Sequence, residues 1–301
     1  MLEGIVVTGA TGKQGGSLLR ALLTQSNTTD VAADAIIYAV TRDPDSSAAR
    51  SIASLSSRVK IVRGDFSNTS ALFSALPRSN LGLYIVTTPG KNEVAWAKAL
   101  IDTATERNIQ HIVFSSVDRG RANGGNTPST VPHWQSKHEI ESYLRRRAKE
   151  SNGKLTYTIL RPVFFLDNLT PDFAGKVSAS IWKDYLQNKK LKVIDSKDIG
   201  TVAASAFMNP VSPFWRNAEI NLAGDELTFT AANRIFMAKT GKPMSTTPKF
   251  LTALILFAAN DLKLMTSFLQ TEGFGAAVQR EIDQIKLAGF EDWLVTNSHD
   301  K

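Results

Sequence analysis

Short apolar runs alternate with longer amphipathic segments through the first 160 residues, and this rhythm limits the chain more tightly than any other feature. Residues 4–8, 35–41, 59–62, 81–87, 111–115 and 155–160 read as strands, apolar enough to be buried on both faces. Residues 15–24, 46–55, 69–76, 93–107 and 132–150 read as the helices between them, the last with Pro132 in its first turn. Strands buried on both faces need a helix layer on each side, which is how a parallel sheet looks in sequence. Right-handed crossovers then gather the carboxyl ends of the strands along one edge, where ligands bind. The expected fold class is α/β: a Rossmann-type doubly wound parallel sheet with a smaller mixed, mainly helical C-terminal lobe.

After Arg161-Pro162 the rhythm breaks. Helices are expected over 175–188, 199–208 and 229–239, short strands over 191–194 and 218–222, and a mainly helical tail over 247–301. This places a nucleotide-binding domain at 1–162 and a substrate- or partner-binding lobe at 163–301, some of whose segments can return to the main sheet. Two polar stretches interrupt the pattern: 25–34, expected as a surface loop, and 120–132, a long loop at the ligand edge and a candidate lid.

Cysteine is absent, which excludes disulfides, a thiolate nucleophile and Cys-based metal sites. The most apolar stretch, 251–260, is about half a membrane span. These features lead us to expect no metal, no membrane association, and a location in the cytoplasm with the nucleus as a second possibility. The net charge of +7 suits an anionic cofactor or nucleic acid, and equally a solubility role.

The sharpest local signal is Gly9-Ala10-Thr11-Gly12-Lys13-Gln14-Gly15-Gly16, set between the first strand and the first helix. Gly9 permits the tight turn, Gly12 lets the backbone approach a pyrophosphate, and Gly15 lets the helix pack close to the strand. Free N–H groups at the helix start then face phosphate, and Lys13 adds charge. No Gly-Lys-Ser/Thr ending follows, so a Walker loop is excluded. Strand two ends Thr41-Arg42-Asp43, and a guanidinium there can grip a ribose 2′-phosphate, which favours NADP(H) over NAD(H). Asp43 either serves a ribose hydroxyl or pairs with Arg42. After strand three, Asp65 can accept from an adenine amino group while Phe66 covers the ring, or the pair forms an ordinary turn. Thr87-Thr88-Pro89 ends strand four beside the expected ribose and pyrophosphate.

Together these segments resemble the NmrA-like family of the atypical short-chain dehydrogenase/reductase superfamily. The likeness continues through His133-Trp134-Gln135-Ser136-Lys137 on the central helix, Arg161-Pro162-Val163-Phe164-Phe165 at the passage into the second lobe, and Glu291-Asp292-Trp293-Leu294. It implies that Gly9, Thr11, Gly12, Lys13, Gln14, Gly15, Arg42, Asp65, Phe66, Thr87, Thr88, Pro89, Lys137 and Phe164 bind NADP(H).

Reductases of that superfamily use a serine near the end of strand five and a Tyr-x-x-x-Lys pair, in which lysine holds the nicotinamide ribose and lowers the phenol's pKa. Here Lys137 has His133 at minus four, and Ser116, beside Ser115, is the candidate hydroxyl. Tyr143 and Tyr157 do not repair the motif by spacing. The leading expectation is therefore an NADP(H)-binding redox sensor acting through a regulatory protein partner, as a monomer or weak homodimer. An NADPH-dependent reductase of quinones or other small carbonyl-type substrates is the alternative, with His133 as proton donor. A DNA-associated repressor is the third reading. The basic run Arg145-Arg146-Arg147 offers charge for it, but no base-reading element accompanies the run, so direct specific DNA binding is not expected.

Overall fold

The computed structural model describes residues 1–24, 30–78, 80–120 and 127–297. The chain opens with the expected alternation: β1 (Leu2–Val7), α1 (Lys13–Thr24), β2 (Val31–Thr41), α2 (Ser47–Ala53), β3 (Val59–Arg63), α3 (Thr69–Ser74), β4 (Leu81–Val86), α4 (Glu93–Glu106), β5 (His111–Ser115), α5 (Pro132–Glu150) and β6 (Thr156–Pro162). Side-chain caps start two of the short helices: Ser46 accepts from the Ala49 N–H and Asn68 from the Ala71 N–H.

It continues through β7 (Phe164–Phe165), a 3-10 turn at Leu166–Asn168, α6 (Phe173–Ser180) running into a π-helical turn at Ile181–Tyr185, β8 (Leu191–Ile194), α7 (Ser196–Met208), β9 (Ala218–Leu222) and β10 (Asp225–Leu227). The last elements are α8 (Phe229–Thr240), α9 (Lys249–Ala258), α10 (Asn260–Thr271), β11 (Glu281–Ile282), β12 (Ile285–Lys286) and α11 (Phe290–Thr296).

Two compact units result. The first comprises Met1–Ser116, Ser136–Arg161 and Ile199–Ile220; the second comprises Val117–Gln135, Pro162–Asp198 and Asn221–Lys301. The chain passes from one unit to the other after Ser116, Gln135, Arg161, Asp198 and Ile220. The main sheet has seven strands in the order β3-β2-β1-β4-β5-β6-β9. Every pairing from β3 through β6 is parallel. This is the doubly wound order, whose direction reverses between β1 and β4. Its core packs Val6, Leu83, Ile85, Leu100, Ile112, Phe114, Ile140 and Ile159 between sheet and helices.

The second unit holds a three-stranded sheet in the order β10-β8-β7 and a two-stranded β11–β12 hairpin. Its core gathers Trp182, Val193, Phe229, Phe290 and Trp293. A separate cluster sets Trp134 edge-on to Phe268 at 4.8 Å between centroids.

One expectation needs correction. Residues 31–34 belong to β2, which pairs with β1 from Val31 onward, so the polar stretch before strand two is shorter than it reads. The tail is mainly helical, as expected, and the hairpin interrupts it before α11. Residues 25–29 of the expected loop and 121–126 of the expected lid lie outside the described residues. Among the described residues no single helix is long and apolar enough to cross a membrane. No group of three or more His, Cys, Asp or Glu there could hold a metal.

Candidate functional site

Because β1 to β5 run the same way, the segments that follow them share the carboxyl edge of the sheet. Gly9 takes a φ of +61°, a left-handed turn that an L side chain resists. The turn is closed by the Gly12 N–H, which donates to the Gly9 carbonyl at 2.9 Å. A Cβ on Gly15 would lie 2.3 Å from that same carbonyl, so the first turn of α1 can approach only without a side chain. The result is a cradle at a helix N-terminus, shaped for phosphate. Thr11 is exposed at its rim, and Lys13 opens α1.

Two further side chains fix this turn against the sheet. The Thr8 hydroxyl donates to the Tyr84 carbonyl at 2.8 Å and accepts from the Val86 N–H at 3.1 Å, tying the end of β1 to β4. Gln14 Oε1 accepts from the Ser115 hydroxyl at 2.6 Å and the Tyr84 hydroxyl at 3.1 Å. Gln14 thus braces α1 against β4 and β5. Burial raises the Tyr84 pKa, so this phenol stays protonated as a donor.

Arg42 is exposed just past β2. Asp43 does not pair with it: Asp43 Oδ1 accepts from the Asp45 N–H at 3.0 Å and shapes the turn into α2. Asp65 Oδ1 likewise accepts from the Ser67 N–H at 2.7 Å. The Ser67 N–H and hydroxyl hold the Asp65 carboxyl below its ordinary range, with Arg42 adding a smaller pull. Phe66 is half-buried against the core. Thr88 and Pro89 are exposed at the end of β4, whereas Thr87 is buried.

The centre of the edge departs from the expected arrangement. Lys137 Nζ donates to Thr87 Oγ1 at 2.6 Å and lies 3.3 Å from Glu93 Oε1. Thr87 Oγ1 in turn donates to Glu93 Oε1 at 2.6 Å, which closes a buried triangle. The ammonium also sits 5.3 Å from the centroid of the Phe114 ring. Burial pushes the Lys137 pKa down, and the Glu93 carboxylate opposes the fall.

Ser116 donates its hydroxyl to Glu141 Oε1. That carboxylate also accepts from Arg161 through Nε at 3.1 Å and Nη2 at 2.8 Å. Arg161 continues to Glu219 on β9, which Arg145 holds at 2.7 Å. The hydroxyl expected to face a nicotinamide is therefore bonded within the fold, because a buried carboxylate needs its donors. His133 is half-buried in the first turn of α5, and Phe164 lies in β7, packed on the core of the second unit.

Sequence reasoning missed Glu93, Glu141 and Glu219. A signal existed for the first two. Glu93 shares the buried stripe of α4 with Ala97, Leu100, Ile101 and Ala104. Glu141 lies in the buried stripe of α5 with Lys137, Ile140, Leu144 and Ala148. An acidic residue on an apolar stripe marks a buried pair. The basic run is likewise paired: Arg145 with Glu219, Arg146 with Glu150 at 3.7 Å, and Arg147 with Asp102 at 2.9 Å.

Comparison with known proteins agrees with this architecture. The chain is 30% identical over 182 residues to the nitrogen metabolite repression protein nmr of Neurospora crassa, covering 58% of this chain but only 36% of that protein. It is 26% identical over 305 residues to the NmrA-like family domain-containing oxidoreductase lnaB of Aspergillus flavus, covering 89% of this chain and 84% of the relative. Among solved structures, the Citrobacter sp. triphenylmethane reductase complexed with NADP(H) shares the fold at a TM-score of 0.69 and 16% identity, with 96% of this chain and 98% of that one covered. The family model itself runs across the cradle, both compact units and α11 as far as residue 294, and the chain belongs to the NmrA-like family.

Proposed function

We propose that this protein binds NADP(H) along the carboxyl edge of its sheet and reports the cofactor's redox state to a protein partner. The glycine cradle takes the pyrophosphate, and Arg42 takes the 2′-phosphate through paired charge-assisted bonds. Phe66 and the free edge of Asp65 flank the adenine. Thr87, Thr88 and Pro89 run beside the ribose, and Lys137 holds the nicotinamide ribose. When bound, the cofactor supplies hydride at its nicotinamide.

One observation carries the sensor reading. The Lys137 ammonium is held by Thr87 and Glu93, and the Ser116 hydroxyl by Glu141. The Ser116 hydroxyl that a Tyr–Lys–Ser reductase would turn toward its substrate is here bonded to Glu141, and no tyrosine stands four residues before Lys137. A reductase of quinones or related carbonyl compounds is the second reading. It is favoured by the oxidoreductase name of the Aspergillus relative and by a half-buried imidazole at position 133, a group able to donate a proton near neutral pH.

Titration calorimetry with NADPH and NADH tests the binding, and NADPH oxidation with aldehydes, ketones and quinones tests the chemistry. Arg42→Ala is expected to weaken NADPH about 10–100-fold and leave NADH unchanged. Equal affinities for both cofactors in the native chain would remove Arg42 from its role. Turnover that vanishes in His133→Ala would replace the sensor with the reductase.

A further inference from the structure

The turn that follows β2 is crowded with charge. Arg42, Asp43 and Asp45 lie within four residues, and two further guanidiniums close on the same turn. Arg50 Nη1, from α2, donates to the Asp45 carbonyl. Arg63, the last residue of β3, places Nη2 3.8 Å from Asp45 Oδ2. Register brings it there: Arg63 stands opposite Thr41 in the parallel β2–β3 pair, and the Gly64 N–H donates to the Thr41 carbonyl at 3.0 Å. Arg42 pulls on the Asp65 carboxyl, two residues beyond Arg63, so both guanidiniums serve one corner of the carboxyl edge.

The two aspartates of the turn are not equivalent. Asp43 shapes the backbone: its Oδ1 accepts from the Asp45 N–H at 3.0 Å, and its carbonyl accepts from the Ser46 hydroxyl at 2.9 Å. The Asp45 side chain makes no such turn bond; it is 89% exposed and pairs with an Arg63 side chain that is 69% exposed. A long pair between two solvated side chains contributes little, so Arg63 can leave it at small cost. A phosphate gripped by a guanidinium fork is the stronger contact. An anion arriving at Arg42 also meets the Asp45 carboxylate, which repels it unless a cation stands between them.

We propose that Arg63 is a second ligand for the 2′-phosphate of NADP(H), resting on Asp45 in the free protein and exchanging that carboxylate for the phosphate when the cofactor binds. Arg63 then sharpens the preference for the phosphorylated cofactor, and Asp45 tempers it by competing for the same guanidinium. The inference rests on the NADP(H) reading above, in which Arg42 meets the phosphate first.

Titration calorimetry of the full chain tests it with two ligand pairs. NADPH and NADH form one; adenosine 2′,5′-bisphosphate and adenosine 5′-monophosphate, which differ by the 2′-phosphate alone, form the other. Arg63→Ala is expected to weaken NADPH and the bisphosphate about fivefold and to leave NADH and the monophosphate unchanged. Its melting temperature should match the native one, because the side chain lies outside the core. Asp45→Asn should act in the opposite direction, tightening NADPH about threefold. That gain should be smaller in an Arg63→Ala background, where no pair has to break. An equal gain there would mean that Asp45 acts by charge alone, and the exchange would be refuted. Native NADPH affinity in Arg63→Ala, beside a weakened Arg42→Ala, would overturn the proposal and leave the role of Arg42 standing. A loss shared by NADH would put Arg63 elsewhere on the cofactor and overturn it as well. Equal affinity of the native chain for NADPH and NADH would bring down both this proposal and the reading beneath it.

Discussion

His111 turns the interior of the first unit into a pH-dependent weakness. The ring is fully buried in β5, 5.9 Å from the centroid of Phe207. Nδ1 lies 2.8 Å from the Thr156 hydroxyl and Nε2 lies 3.1 Å from the Thr158 hydroxyl. The Thr158 hydroxyl donates to the Trp215 carbonyl at 2.6 Å, so Nε2–H is the donor on that side; the Thr156 hydroxyl also lies 3.1 Å from the Gln110 carbonyl, and beside a neutral ring it turns its one proton from that carbonyl to Nδ1. A neutral ring is thereby satisfied at both nitrogens. Burial pushes its pKa down to about 3 from 6.5. In the unfolded chain the imidazole protonates near its ordinary value. The unfolded state then binds the extra proton between those limits, and stability falls as pH falls below 6.5.

The loss attributable to this ring is about 2 kcal/mol near pH 5, and it approaches about 5 kcal/mol when the whole shift is expressed. His111→Gln keeps a donor and an acceptor but cannot titrate. Amide exchange along β5 and β6, followed from neutral pH to about pH 5 in both proteins, reads the stability of this unit. The native chain should lose about 2 kcal/mol more than the variant over that interval. Parallel curves would refute the reasoning. They would mean that an imidazolium is accepted there, each N–H passed through a threonine hydroxyl to a carbonyl.

Two other buried groups give measurable consequences. Glu93→Ala leaves the Lys137 ammonium buried without its carboxylate and should destabilise the chain by about 3–5 kcal/mol in urea unfolding. Glu93→Met combined with Lys137→Met should recover most of that loss, while a double variant as weak as the single one would show that the pair itself is not the cause. In the second unit, burial raises the Asp198 pKa to about 7, with Asp195 and Asp292 adding to the rise and the Ala288 N–H opposing it. The folded state holds this proton where the unfolded state does not, so its stabilisation is complete below the ordinary carboxylate pKa and is lost as pH rises through about 7. Asp198→Asn, which can still accept from Ala288, should flatten that decline in melts monitored by exchange in β8, at a slope of about 1.4 kcal/mol per pH unit.

The first half of the fold was legible because its strands are covered on both faces and therefore read as unbroken apolar runs. Pattern alone found β1 to β6 with their helices, and the glycine cradle stood out because two of its positions, Gly9 and Gly15, leave no choice of residue. Short strands carry no period: β7, β10, β11 and β12 have two or three residues each. The β11–β12 turn was further disguised. Asp283 and Gln284 both have positive φ, as a tight hairpin turn requires, but the Asn-Gly or Asp-Gly signature is absent. At the site, Lys137 was found by its motif and Glu93 was not. A carboxylate at a helix start reads as a partner for the dipole until its place on the apolar stripe is noticed.

The order of segments in the two units bears on synthesis. The last strand of the main sheet, β9, begins at Ala218, well after the chain has crossed into the second unit and back. Domains that are continuous in sequence can close while the ribosome is still making the next one. This chain has no such early product. Its N-terminal sheet waits with an open edge beside β6 until residues 199–222 emerge, after residues 163–198 of the second unit have been translated. The nascent chain is thus exposed to edge-to-edge pairing beside β6 while it is extended from Val163 to Leu222, and a ribosome stalled in that interval would hold a sheet without its final strand.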